Sequence, residues 1–135
     1  TKAVYGNATV LDGSVITPEE YGDFAEEKSS QQFPNGWGCN GGGGIVFRAS
    51  FSRLGILYLA TTDGKSGQFE VLIDGEPVRT IDADFTGGWG NAIKADEVYA
   101  SDTVGEHTVE LRRSENAMGD IFHLLGLLTS ESIKD

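Results

Sequence analysis

The sequence predicts an all-β fold, a β-sandwich of jelly-roll type made of two antiparallel sheets. Three observations carry this. Glycine supplies 19 of 135 residues, twice the usual share of about 7%, with no Gly-X-Y period, which points to many tight turns. Several short segments alternate apolar and polar residues with the period of a half-buried strand. Turn-forming dipeptides separate them at roughly eight- to twelve-residue intervals, the spacing of sandwich strands.

Taken in order, residues 3–11 and 14–16 read as strands split by Asp12-Gly13, a hairpin-turn dipeptide. Thr17-Pro18-Glu19-Glu20 resembles a helix start, with a Thr N-cap, Pro at the first helical position and acids in the first turn. The apolar period dies by Phe24, which limits any helix to one or two turns. Residues 26–37 are polar and read as a long loop. Residues 36–44, Gly-Trp-Gly-Cys-Asn followed by four glycines, read as a turn carrying Trp37 into a strand. The glycine run permits close backbone approach and positive φ.

From Ile45 to Phe51, alternate residues (Ile45, Phe47, Ala49, Phe51) are apolar, which predicts a strand with one buried face. Residues 55–61 are apolar on both faces and read as a central strand. Phe69, Val71 and Ile73 point inward from the next strand, and Asp74-Gly75 turns it onto residues 77–83. Residues 92–100 form a weaker strand, and 107–113 a clear one with Val109 and Leu111 inward. Residues 121–129, Ile-Phe-His-Leu-Leu-Gly-Leu-Leu-Thr, have no polar face except His123. Their length and the internal Gly126 favour a central strand over a buried helix. There is no internal repeat, so residues 1–135 read as a single domain, with 130–135 the start of a linker.

Acids outnumber bases 21 to 10, a formal charge of −11. That opposes binding to nucleic acid or an anionic membrane, where Lys and Arg must neutralise phosphate. No apolar run reaches the roughly 18 residues of a spanning helix. Cys39 is the single cysteine, which excludes an intrachain disulfide and a cysteine zinc cluster. The charge suits a soluble exported module, or one acting on a neutral ligand.

Catalytic motifs are missing. There is no Gly-x-Ser-x-Gly elbow. Gly64-Lys65-Ser66 matches the end of a phosphate loop, but its earlier glycine falls at Leu59. His107 and His123 lie far apart in sequence; the second reads more readily as a satisfied strand residue than as a ligand. Asp82, Asp84 and Gly87 have a calcium-loop spacing, but the twelfth position is Ile93 rather than Glu, so an acidic turn is the better reading. The expectation is therefore no catalytic residue and no cofactor.

The aromatics remain. A sugar ring offers apolar C–H faces ringed by hydroxyls, which a flat aromatic and amide, carboxylate or guanidinium groups read together. Covering roughly 80 Å² of an aromatic face yields about 2 kcal/mol, so binding should be weak, roughly millimolar to micromolar. Trp37 with Asn40 and Trp89 with Asn91 supply these groups in turn settings. Two roles stay open for each tryptophan: sugar platform, or core residue near a turn. Tyr58, Tyr99, Gln68, Arg48 and Arg112 are further candidates on a sheet face or edge.

The strand Phe-Glu-Val-Leu-Ile-Asp-Gly-Glu-Pro-Val (69–78), the Trp89 loop, Gly-Glu-His-Thr-Val-Glu-Leu-Arg (105–112) and Ile-Phe-His-Leu-Leu-Gly-Leu (121–127) follow a familiar order. Residues 45–129 resemble β-jelly-roll carbohydrate-binding modules of bacterial plant-cell-wall enzymes, and the N-terminal jelly rolls of some SGNH-type carbohydrate esterases. The resemblance implies a secreted, monomeric, non-catalytic module. It would bind a neutral β-glucan or related hemicellulose and tether a covalently linked catalytic domain to it. Many such modules carry a structural calcium, for which no family motif can be laid on residues here. The alternative is a structural accessory domain of an esterase or glycosidase, with no ligand of its own and with its tryptophans packed against its partner domain.

Overall fold

The computed structural model describes residues 3–5, 8–28, 30–62, 65–85, 88, 90–114 and 121–131, without the side chains of 3–5 and 40. Among the described residues all regular structure is β. The strands are β1 (Ala3–Tyr5), β2 (Ala8–Leu11), β3 (Phe24–Glu27), β4 (Gly36–Asn40), β5 (Ile45–Ala60), β6 (Gln68–Ile73), β7 (Glu76–Asp82), β8 (Ala92–Arg113) and β9 (Ile121–Ser130). All ladders are antiparallel, in the order β1-β2-β9-β5-β8-β6-β7, with β4 between β3 and β9.

The period-2 segments become strands facing as expected. Ile45, Phe47, Phe51, Phe69, Val71, Val109 and Leu111 are buried. β5 merges the two strands expected at 45–51 and 55–61, with register shifts at Phe51/Arg53 and Leu54/Gly55. Its first half pairs with residues 105–111 of β8 and its second with 92–100 and with β9. β5 and β9 are apolar on both faces because each face packs. Ile56, Tyr58, Phe122 and Leu124 join the main core, while Leu57 and Leu125 join a second cluster with Val10, Phe33 and Leu128.

The Asp74-Gly75 turn forms as the dipeptide requires, with φ of 52° and 87° at its two central residues. The glycine run is a packing surface. Gly22, at φ 55°, lies against Gly43 and Gly44 so closely that an added Cβ would sit 2.3 Å from the Gly44 carbonyl oxygen. The Asp23 carboxylate accepts the Gly43 N–H at 2.6 Å.

Three expectations fail. Residues 14–16 form no strand: the hairpin is β1 against β2, with Tyr5 opposite Ala8. No helix starts at Thr17, since Glu20 instead bridges Val46 on β5, exchanging backbone bonds of 2.9 and 3.4 Å. The loop expected at 26–37 is interrupted at both ends by the β3–β4 ladder, in which Glu26 opposes Trp37. β9 ends at Ser130, which pairs with Arg53; residues 132–135 lie outside the described residues.

Candidate functional site

Trp37 is not a surface platform. It has no solvent exposure and meets Phe47 edge-on at 5.0 Å between centroids. The cause is the ladder: Trp37 opposes Leu124 on β9, and both side chains enter the core. Trp89 lies outside the described residues, as does the side chain of Asn40, whose backbone pairs with Ile121. Asn91 uses its side-chain oxygen to accept the Thr62 N–H at 3.1 Å, tying the segment after β5 to the start of β8.

The remaining sequence candidates are dispersed. Tyr99 is half-buried, its ring edge-on to Phe51 at 5.8 Å and beside His107 at 5.1 Å. Gln68 begins β6 opposite Asp82. Arg112 opposes Glu70, its Nε 3.5 Å from the carboxylate. Tyr58 is buried on Phe122 and donates to Asp96 Oδ2 at 3.0 Å. Burial, then the Asp96 contact, pushes its hydroxyl pKa far above the ordinary range. The β6–β8 ladder puts Gln68 and Arg112 on one face as diagonal neighbours, whereas Tyr99 sits on the other half of β8 and Trp37 and Tyr58 are core.

The structure instead gathers residues that the sequence did not connect. A cleft of about 800 Å³ opens where β2 and the end of β9 face the first half of β5. Alternation along β2 brings in Thr9 and Leu11, which oppose Thr129 and Leu127. The next turn folds Val15 and Ile16 over the opening, because both their N–H groups donate to the Asp12 carbonyl, at 3.0 and 2.9 Å. Leu11, Val15, Ile16 and Ala49 make an apolar floor, while Thr9, Ser50 and Thr129 supply hydroxyls. Arg48 stands at the rim between Glu19 and Glu106, at 3.6 and 3.7 Å, with about half of its side chain exposed. Contacts that long at an exposed site hold the guanidinium loosely. The volume falls within the roughly 300–1,000 Å³ of small-ligand sites. An apolar floor with convergent hydroxyls and one guanidinium can take an uncharged polyol face-on and bond its hydroxyls.

Both histidines are paired with carboxylates. His107 Nδ1 lies 2.7 Å from Asp74 Oδ2. That bond, then the Thr108 N–H, holds the Asp74 carboxyl below its ordinary value. His123 Nδ1 lies 2.8 Å from Glu27 Oε2, half-buried on β9 beside Gly38. Neither pair lines the cleft. Asp82 ends β7 and Asp84 bridges Thr61, with Asp82 Oδ1 accepting the Asp84 N–H at 2.9 Å; Gly87 lies outside the described residues. Among the described residues no three His, Cys, Asp or Glu side chains converge as metal ligands.

No protein-family model matches the chain, and no curated protein matches it in sequence. Solved structures do match in fold. A two-domain esterase active on acetylated mannans aligns at TM-score 0.74 and 22% identity, over 99% of this chain and 39% of its own; the chain thus spans about two-fifths of that enzyme. A family 6 carbohydrate-binding module from Clostridium cellulolyticum, in complex with xylose, aligns at TM-score 0.62 and 18% identity over 90% of this chain and 96% of its own. The CBM36-1 domain of a multidomain xylanase from the hindgut metagenome of Trinervitermes trinervoides aligns at 0.59 and 14%, over 93% and 98%. The chain therefore has the fold of carbohydrate-binding modules and of a part of a two-domain carbohydrate esterase.

Proposed function

We propose that this protein is a non-catalytic module of a secreted, multidomain carbohydrate-active enzyme, and that it holds a neutral β-linked polysaccharide for an attached catalytic domain. The likeness to two carbohydrate-binding modules along nearly their whole length carries the reading. The cleft at Arg48 is the sugar site in this proposal. Its aliphatic floor offers no aromatic face, so affinity should lie at the weak end, about millimolar. Tethering turns such weak binding into a high local substrate concentration without chemistry of its own. A hemicellulose such as a mannan, xylan or glucan is the substrate class, because the −11 charge disfavours an acidic chain. We read the continuous sheet as a two-layer jelly roll, folded over at the β5 irregularities, and the module as a monomer.

A second reading is favoured by one observation: the higher likeness, over 99% of the chain, is to part of a two-domain esterase. On that reading the domain supports its catalytic neighbour and binds nothing. Affinity electrophoresis of the 135-residue chain in gels containing glucomannan, xylan or mixed-linkage β-glucan separates the two. Retardation by at least one supports the module, and free migration in all supports the accessory domain.

A further inference from the structure

The inward row of β5 has one small member. Ile45, Phe47 and Phe51 are fully buried, whereas Ala49 among them stays partly exposed and lines the Arg48 cleft. A methyl where both neighbours in the row carry rings leaves a notch in the fringe of the main core. Leu11 and Ile16, which pack against that core, line the cleft with it, and Val15 adds an exposed aliphatic edge. This floor can bury a methyl group, but it gives a sugar ring no aromatic face to stack on. Beside it stands the Arg48 guanidinium, whose ion pairs to Glu19 and Glu106 take Nε and Nη1, so that Nη2 is used by neither. A third carboxylate, Glu131, also lines the cleft.

From this we infer that the Arg48 cleft reads an O-acetyl group on its polysaccharide, with the acetyl methyl in the Ala49 notch and the carbonyl oxygen accepting an Arg48 N–H. The inference rests on reading the protein as a glycan-binding module with its site at Arg48. An acetyl ester joins, in one neutral substituent, the two groups that the cleft accommodates side by side. A deoxy or methoxy substituent would fill the notch but bring no carbonyl to the guanidinium. A carboxylate would suit the guanidinium alone, but Glu19, Glu106 and Glu131 around it repel an anion. The Thr9, Ser50 and Thr129 hydroxyls line the same cleft and match the hydroxyls of the sugar that carries the ester. Such recognition concentrates an attached enzyme on the acetylated stretches of a chain.

Titration of the ¹⁵N-labelled 135-residue chain with O-acetylated glucomannan oligosaccharides, and with the same oligosaccharides deacetylated in alkali, tests this. Acetylated and deacetylated xylan oligosaccharides supply a second backbone. With at least one backbone the amides of Ala49, Ser50 and Thr129 should shift, and the acetylated form should bind about tenfold more tightly. Burying the methyl accounts for about fourfold of that, and the hydrogen bond from a charged donor for the rest. Saturation transferred from the protein should reach the acetyl methyl more strongly than any other ligand proton. Ala49→Val fills the notch and Arg48→Met removes the donors, so each should cut the preference to about threefold or less; Arg48 is exposed, so the second variant keeps the fold. Equal or lower affinity for the acetylated form on both backbones overturns acetyl recognition and leaves the module standing. So does a preference that both variants retain in full, since it would come from another part of the surface. Absence of binding to every oligosaccharide overturns acetyl recognition and the module reading together.

Discussion

Replacing Trp37 with alanine should unfold this domain far more readily without touching any binding surface. The residue is fully buried and packs edge-on against Phe47. A tryptophan buries about 150–250 Å², and a good aromatic pair adds about 0.5–1.5 kcal/mol beyond its area. Large aromatic-to-alanine changes in cores cost about 3–5 kcal/mol, the upper end applying where the site cannot collapse. β4 is held on one edge by β3 and on the other by β9, so little collapse is available and the loss should fall in the upper half of that range. For a domain of this size, 1 kcal/mol moves the melting temperature by roughly 3–5 °C, so the expected drop is roughly 12–25 °C. Scanning calorimetry measures it, and affinity electrophoresis well below the transition shows whether the folded fraction still meets glycan normally. A change under about 3 °C together with lost glycan retardation would refute the reasoning and return Trp37 to the surface.

Four further outcomes follow from the structure and the charge. Gly22→Ala should destabilise by more than about 2 kcal/mol, because it adds a Cβ both at positive φ and against the Gly43–Gly44 backbone; urea titration reads it, and an unchanged midpoint contradicts the packing of the glycine run. Asp74 has its folded pKa depressed, chiefly by His107, so its stabilisation is complete above the ordinary carboxyl value near 3.9 and lost as pH falls through the lower folded value. Asp74→Asn, which tolerates the left-handed turn, should therefore melt below the parent at pH 7, with the gap closing in strong acid; a gap that stays constant with pH rules out the linkage. Arg48→Ala should change stability by less than about 0.5 kcal/mol, since its ion pairs are long and exposed, yet weaken polysaccharide retardation several-fold. Retardation of the parent should be the same in low and high salt, because binding a neutral glycan releases no counterions.

The strands that the sequence made legible are those whose own side chains alternate or are continuously apolar. Phe47, Phe69, Val71, Val109 and Leu111 reveal their inward face through period-2 spacing alone, and Asp74-Gly75 reveals its turn because few residues accept positive φ in succession. β4 was not legible. Gly-Trp-Gly-Cys-Asn has no alternation of large apolar and polar groups, and it is a strand because β3 and β9 pair with it from either side. Thr17-Pro18-Glu19-Glu20 has helix-start chemistry, but Glu20 gains backbone partners on β5 that an uncontinued helical turn could not supply.

The sequence by itself determined the all-β class, the inward face of most strands and a charge that favours a neutral ligand. Those are local or additive properties: a two-residue period, a turn dipeptide, a sum of charges. Tertiary structure alone decided that Trp37 enters the core, that Gln68 and Arg112 share a face while Tyr99 lies on the other half of β8, and that a cleft forms at Arg48. Each of those depends on register between segments far apart in sequence, Thr9 with Thr129 and Arg53 with Ser130 among them. A one-residue slip in such a ladder turns every side chain to the opposite face, so a site made of several strands exists only once the ladders are set.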